Sequence, residues 1–245
     1  MKNPKIEWLT NTPIAHRGLH NGADIPENSF KAFENAINNN FAIEMDIQVT
    51  LDGVPVVFHD DNLLRMTGLD KNVNECQYDE IKDLTLLATS ETIPSFAEFL
   101  TFVDGKVPLL IEIKTHSEIG IAEKIIWDVL KDYNGVYAVQ SFNPFIVKWF
   151  ADNAPAVVRG QLSCNFANSK LSSWKKFMLK NLLFSKWNKS QFIAYGSDSI
   201  AKNKAVKRWK QKVPVLCWTI QSQEQFDSLS SHFDNIIFEN FIPKK

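Results

Sequence analysis

Nine short apolar runs punctuate the chain, at residues 13–16, 42–46, 55–59, 108–113, 137–141, 157–162, 192–194, 213–219 and 235–238. Most do not alternate apolar with polar positions, are rich in β-branched residues and stop at turn formers. That is the pattern of strands buried on both faces. Between them apolar residues return every three or four positions, which predicts helices over 29–39, 78–84, 95–102, 118–132, 144–153, 170–189, 202–210 and 222–230. Asn28 stands where an N-cap is expected for the first of these, with Phe30, Phe33 and Ile37 sharing one face.

Repeated strand-helix alternation implies an α/β protein with a parallel sheet, and at 245 residues a (β/α)8 TIM barrel. Nine strands compete for eight places, so one is accessory. Between Asp46 and His59 there is no room for a crossover helix, and Asp52-Gly53 is a turn signal. A two-residue turn there would set Asp46 opposite His59. Residues 60–93 hold little that reads as a barrel strand and predict a small insertion after the third strand, which returns at "IPSFAEFL". With no repeat, linker or low-complexity tract, residues 1–245 read as a single barrel domain.

Composition narrows the function. A formal net charge of -1 argues against a general nucleic-acid binder. Three widely spaced cysteines, Cys76, Cys164 and Cys217, suggest reduced thiols rather than a disulfide framework or a zinc site. The first residues lack the apolar core of a signal peptide, and no apolar run is long enough to cross a bilayer. A cytoplasmic location is therefore expected.

The strands end on unusual residues. The first delivers His16 and Arg17, the second Glu44 and Asp46, the third His59 and Asp60, the fourth Glu112 and Lys114. In a barrel such ends meet on one face, where active sites are built. A single charged pair there would be an ordinary structural ion pair; several strand ends loaded alike point to a site. Glu44, Asp46 and Glu112 offer only hard oxygen ligands, suited to Ca²⁺ or Mg²⁺, with Mn²⁺ as a further candidate. His16 and His59 suit acid-base work near neutral pH, and Arg17 and Lys114 supply positive charge for a phosphoryl centre. This set fits phosphodiester cleavage better than acyl or hydride transfer. No nucleophile elbow, dinucleotide glycine pattern or Walker loop competes.

The segments "AHRG", "PENS", "IEMDIQVTLDGVPVVFHDDNLLRMTG", "IPSFAEFL" and "LLIEIK" resemble the glycerophosphodiester phosphodiesterase family, tightly over residues 14–114 and more weakly through "VQSFNP" and "VLCWTI". The resemblance implies a phosphodiesterase barrel that hydrolyses glycerophosphodiesters to glycerol 3-phosphate and an alcohol. It implies a divalent cation on Glu44, Asp46 and Glu112, His16 and His59 as base and acid, and Arg17 and Lys114 on phosphate. It also implies attack by the glycerol 2-hydroxyl, through a cyclic phosphate that water opens. Phe142 and Trp218 read either as a substrate wall, with Trp218 packing on the glycerol moiety, or as plain core. Departures fall late: "WTIQ" and "FEN" replace the family's usual Trp-Thr-Val-Asn and Thr-Asp, at Gln221, Glu239 and Asn240.

Two other readings stay open, a lysophospholipase D-type enzyme and a non-catalytic phosphodiester-binding relative. Intact histidines and carboxylates argue against the second. The first is kept alive by residues 165–191, which hold six lysines and no acidic residue among Leu171, Trp174, Phe177, Leu182, Leu183, Phe184 and Trp187. Such a stretch, centred on 170–189, either touches an anionic membrane transiently or packs as an ordinary barrel helix. His20 and His116 are expected in solvent-exposed loops.

Overall fold

A computed structural model describes residues 4–114 and 118–244. His116 lies outside them. The first half runs α1 (Pro4–Asn11), β1 (Ile14–Ala15), α2 (Phe30–Asn38), β2 (Ala42–Val49), β3 (Pro55–Val57), α3 (Leu64–Thr67), α4 (Tyr78–Ile81), α5 (Phe96–Val103) and β4 (Leu109–Ile113). The second runs α6 (Ile121–Leu130), β5 (Tyr137–Ser141), α7 (Pro144–Asn153), β6 (Val158–Ser163), α8 (Ser173–Lys180), β7 (Phe192–Gly196), α9 (Lys204–Lys210), β8 (Val215–Ile220), α10 (Gln223–Leu229) and β9 (Asn235–Phe238). The hydrogen-bonded order β1-β9-β8-β7-β6-β5-β4-β2-β3, with β1 also paired to β2, is that of a (β/α)8 barrel with β3 as the extra strand. All nine apolar runs are strands.

By internal contacts the chain forms two units, residues 15–137 and residues 1–14 with 138–245. In the first unit β2 and β4 run parallel, with Asp46 beside Glu112 in register. β3 returns antiparallel along β2, pairing Ile47 with Val57 and Val49 with Pro55. The connection is a three-residue loop rather than two: Gly53 N–H donates to Thr50 O and Thr50 N–H to Val54 O, both at 3.0 Å. Gly53 takes φ +83, the left-handed bulge position of such hairpins. The register therefore sets Asp46 opposite Phe58, whose N–H donates to Asp46 O at 3.0 Å, and not opposite His59.

Ser29, not Asn28, caps α2, its hydroxyl accepting from Ala32 N–H. Asn28 is left in the left-handed region with φ +55 and its side chain turned to other use. On α2, Phe33 meets Phe99 of α5 edge-on at 4.5 Å, and Phe30 meets Phe102 at 5.1 Å. Ser95 and Glu98 close a capping box at the start of α5. Residues 61–93 carry α3, α4 and a 3₁₀ turn at Val73–Glu75, and Leu63, Met66, Val73, Ile81 and Ile93 pack with Val56 and Phe58 into a cluster of their own.

In the second unit β5 to β9 are parallel neighbours. The predicted helix over 170–189 is much shorter. α8 ends at Lys180, and Leu182 and Lys189 both have positive φ, which L-residues do not sustain in a helix. Buried Leu182, Ser185 and Asn188 hold the following turns instead. Tyr195, fully buried, donates its hydroxyl to Lys180 O at 3.2 Å just where α8 stops.

Candidate active site

Three carboxylates are the centre of the 15–137 unit. β2 points Glu44 and Asp46 to the same side because they are two apart, and β4 adds Glu112 from the adjoining register position. Their oxygens lie within 4.8 Å of one another, and all three residues are buried. Three like charges in so small a dry space cannot all stay ionised unaided. Burial, with repulsion from Asp46 and Glu112, pushes Glu44 well up from the ordinary carboxyl range. Burial, with Asp46 beside it, takes Glu112 up to about 7 although Lys114 pulls the other way. Asp46 goes the other way: Lys114, His59, Arg17 and His16 together overcome its burial and hold it far below the usual range.

Both neighbouring cations lean on Asp46. Lys114 Nζ is 3.0 Å from Asp46 Oδ1 and 3.8 Å from Glu112 Oε1. Arg17 Nε is 3.5 Å from Asp46 Oδ2. The backbone also contributes, since Arg17 N–H donates to Glu44 Oε2 at 3.0 Å. That donation is set by the strained turn after β1, where Arg17 has φ +54 and Gly18 φ +79. A Cβ at Gly18 would lie 2.9 Å from the Ala32 backbone, so only glycine lets this turn approach α2.

The histidines belong to the same unit. His16 follows β1 in that turn and His59 follows β3. Burial lowers the His59 ring from its ordinary value, and the Asp46 carboxylate pulls it back. His59 Nδ1 pairs with Asp60 Oδ1 at 2.6 Å, while Lys114 Nζ donates to His59 O at 3.1 Å.

Sequence reasoning missed the role of three residues here, Asn28, Glu27 and Arg65. Asn28 Nδ2 donates to Asp46 Oδ2 at 3.1 Å. Glu27 joins two arginines, accepting from Arg17 at 2.8 Å and from Arg65 at 2.7 Å. Arg65 also donates to both oxygens of Asp60, at 2.5 and 3.0 Å. An alternating chain Arg17–Glu27–Arg65–Asp60–His59 results. Against its burial, the Arg65 and His59 hydrogen bonds bring Asp60 down to about 2. The signal was present, because "PENS" and "NLLRM" carry these residues, but nothing in their spacing says that they meet.

Phe142 and Trp218 belong to the other unit. Their rings meet edge-on at 5.5 Å, and Phe166 adds a second edge contact to Phe142 at 6.0 Å. With Cys164, Asn165 and Asp198 they line one open pocket of about 550 Å³. Two of the atypical late residues partner each other, Gln221 Nε2 donating to Glu239 Oε1 at 2.6 Å. His20 is half-buried rather than exposed.

The donor set fits a hard divalent cation. Glu44, Asp46 and Glu112 bring three carboxylates, two of them driven toward protonation for want of positive charge, and Asn28 Oδ1 is buried beside Asp46 with no hydrogen-bond partner among the described residues. No thiol or imidazole belongs to this group of three, which disfavours zinc.

Comparison with known proteins agrees with the geometry. The model of the glycerophosphoryl diester phosphodiesterase family matches residues 16–238. Glycerophosphodiester phosphodiesterase 1 of Bos taurus is 26% identical, over 89% of this chain and 74% of its own. A glycerophosphodiester phosphodiesterase from Parabacteroides distasonis superposes with TM-score 0.76 at 24% identity, covering 94% of this chain and 93% of its own. A phosphodiesterase from Oleispira antarctica, solved with the product sn-glycerol-3-phosphate, gives TM-score 0.75 at 22% identity, with 93% and 92% coverage. The two structures share the fold.

Proposed function

Because the chain belongs to the glycerophosphoryl diester phosphodiesterase family, we propose that it hydrolyses glycerophosphodiesters to glycerol 3-phosphate and an alcohol, with His16 and His59 as the acid-base pair. The observation that carries this reading is the coincidence, in one unit, of three buried carboxylates, two cations and two strand-end histidines. A family match across 16–238 supports treating both units as one catalytic domain.

Glu44, Asp46 and Glu112 would hold a divalent cation, Ca²⁺, Mg²⁺ or Mn²⁺, which when bound supplies Lewis-acid stabilisation of phosphoryl charge. The chain's own groups do the rest. Arg17 and Lys114 neutralise the phosphate oxygens as charge builds in the transition state. One histidine takes the proton from the attacking hydroxyl, and the other gives one to the departing alcohol oxygen. Asp60 accepts from His59 Nδ1 and so leaves Nε2 to face the reaction, while Arg65 and Glu27 hold Asp60 and Arg17 in place. For Phe142 and Trp218, whose rings meet in the other unit, only the sequence resemblance argues for a place beside the uncharged part of a substrate.

The test is release of glycerol 3-phosphate from glycerophosphocholine by chelator-stripped protein, with each cation added back. Activity should return with the metal, and His16→Ala or His59→Ala should lower turnover by at least ~100-fold with substrate binding largely kept. Near-normal rates in both variants would sink the assignment.

A further inference from the structure

The exposed aromatic residues of this chain gather in one place. Among large apolar side chains of the described residues that stay exposed, every aromatic one lies between 145 and 187: Phe145 (50%), Trp174 (61%), Phe177 (61%) and Trp187 (45%). Leu171 and Leu183 are exposed beside them. α8 buries none of its residues, whereas α7 buries Ile146, Val147 and Phe150. α10 is also unburied, but it carries polar side chains and no large exposed apolar one. Trp174 and Phe177 are three apart and project together from α8. Phe145 meets Trp187 at 5.4 Å and Phe184 at 6.4 Å, so the rings form a continuous surface. Between them Leu171, Trp174, Met178 and Phe184 help to line an almost wholly apolar groove of about 640 Å³.

Charge is concentrated on the same surface. Residues 165–191 hold six lysines and no acidic residue in a chain of net charge -1. Lys148, itself paired with Asp152, lies 5.5 Å from the Trp187 ring. A dimer built on this face would set lysines against lysines across its two-fold axis, which disfavours a second copy as the occupant. A bilayer rich in anionic headgroups matches both features at once: it attracts the lysines and receives rings at the headgroup boundary.

We infer that residues 171–187, with Phe145, form a docking surface for an anionic lipid bilayer, Trp174 and Phe177 entering the interface while the surrounding lysines meet the headgroups. The surface is peripheral: no helix among the described residues is long and apolar enough to cross a membrane. The inference does not depend on the catalytic reading, since none of these residues belongs to the charged site.

The test is flotation of the full chain with vesicles of phosphatidylcholine alone or mixed with phosphatidylglycerol, at low and high salt. Binding is expected only to the mixed vesicles and should weaken with salt. The double variants Trp174→Ser/Phe177→Ser and Lys175→Glu/Lys180→Glu should each bind at least ~10-fold more weakly. All four positions are exposed, so circular dichroism and turnover of a water-soluble glycerophosphodiester should match the parent. Failure to bind either vesicle would overturn the inference. So would equal binding by parent and both variants, or a concentration-dependent dimer in sedimentation that Trp174→Ser/Phe177→Ser abolishes.

Discussion

Asn28 offers a graded test of how the carboxylate cluster is held. Its amide donates to Asp46 Oδ2 at 3.1 Å, both residues are buried, and its backbone sits at φ +55. Replacing it separates two effects. Asn28→Gly removes the side-chain hydrogen bond to a charged acceptor, a loss of about 1.5–3 kcal/mol. Asn28 Oδ1 has no partner among the described residues, so its removal returns part of that, and the lower end applies. Asn28→Ala loses the same bond and keeps a Cβ in the left-handed region, where L-residues other than Asn and Asp are disfavoured by about 1–2 kcal/mol. At about 2–4 °C per kcal/mol for a chain of this size, glycine should lower the melting temperature by about 3–6 °C and alanine by about 2–8 °C more. The assay is thermal unfolding in chelator, followed by calorimetric titration of Ca²⁺, where loss of a bond that orients a ligand should weaken binding by about 10–100-fold in both variants. Equal melting of the two variants would refute the backbone argument. Parent-like Ca²⁺ affinity in Asn28→Gly would refute the claim that the amide orients Asp46.

Other outcomes follow from the same geometry. In chelated protein Glu112, raised from 4.5 to about 7, and Glu44, raised well above it, favour their protonated forms when folded. The stability that they contribute is therefore full below pH 4.5 and lost as pH climbs through 7, so added Ca²⁺ should raise the melting temperature more at pH 7.5 than at pH 5. Equal increments at the two pH values would count against a shared carboxylate site. Arg65→Met should slow turnover several-fold by freeing Asp60 and hence His59, and it should shift the pH-rate profile; a profile that keeps its shape would deny Arg65 that positioning role. Gly18→Ala should cost about 2 kcal/mol or more, because φ +79 and a 2.9 Å approach to Ala32 both exclude a Cβ, and urea unfolding measures it.

The barrel could be read from the chain because strands buried on both faces leave unbroken apolar runs, and all nine survive as strands. The site could be read as far as each strand advertised its own polar end. What resisted reading depended on partners distant in sequence. Asn28 looks like a helix cap until Ser29 is seen to take that place, which frees the amide for Asp46. Arg65 and Glu27 are 38 residues apart, and no local pattern announces their pairing. The helix expected across 170–189 failed for a related reason. Its lysines and apolar residues keep helical spacing, but Leu182 and Lys189 adopt positive φ, and interior contacts at Ser185 and Asn188 shape the backbone.

The loop at residues 51–53 has no chemistry of its own, yet it works as a spacer cut to length. Surface loops usually accept an added or deleted residue without harm. Here the side chains of β3 alternate in direction, so a one-residue change that slid β3 along β2 would reverse which way each of them points and would displace His59, which follows the strand. Thr50 and Asp52 guard against the slip: the threonine hydroxyl donates to Asp52 Oδ1 at 2.6 Å and accepts from Val54 N–H at 3.0 Å, while Gln48 reaches across to Phe58 O and Asp60 O at 3.1 and 2.7 Å. A stretch that touches no substrate thus becomes one of the least forgiving places in the chain for an insertion, and errors in its length would be felt at the histidine.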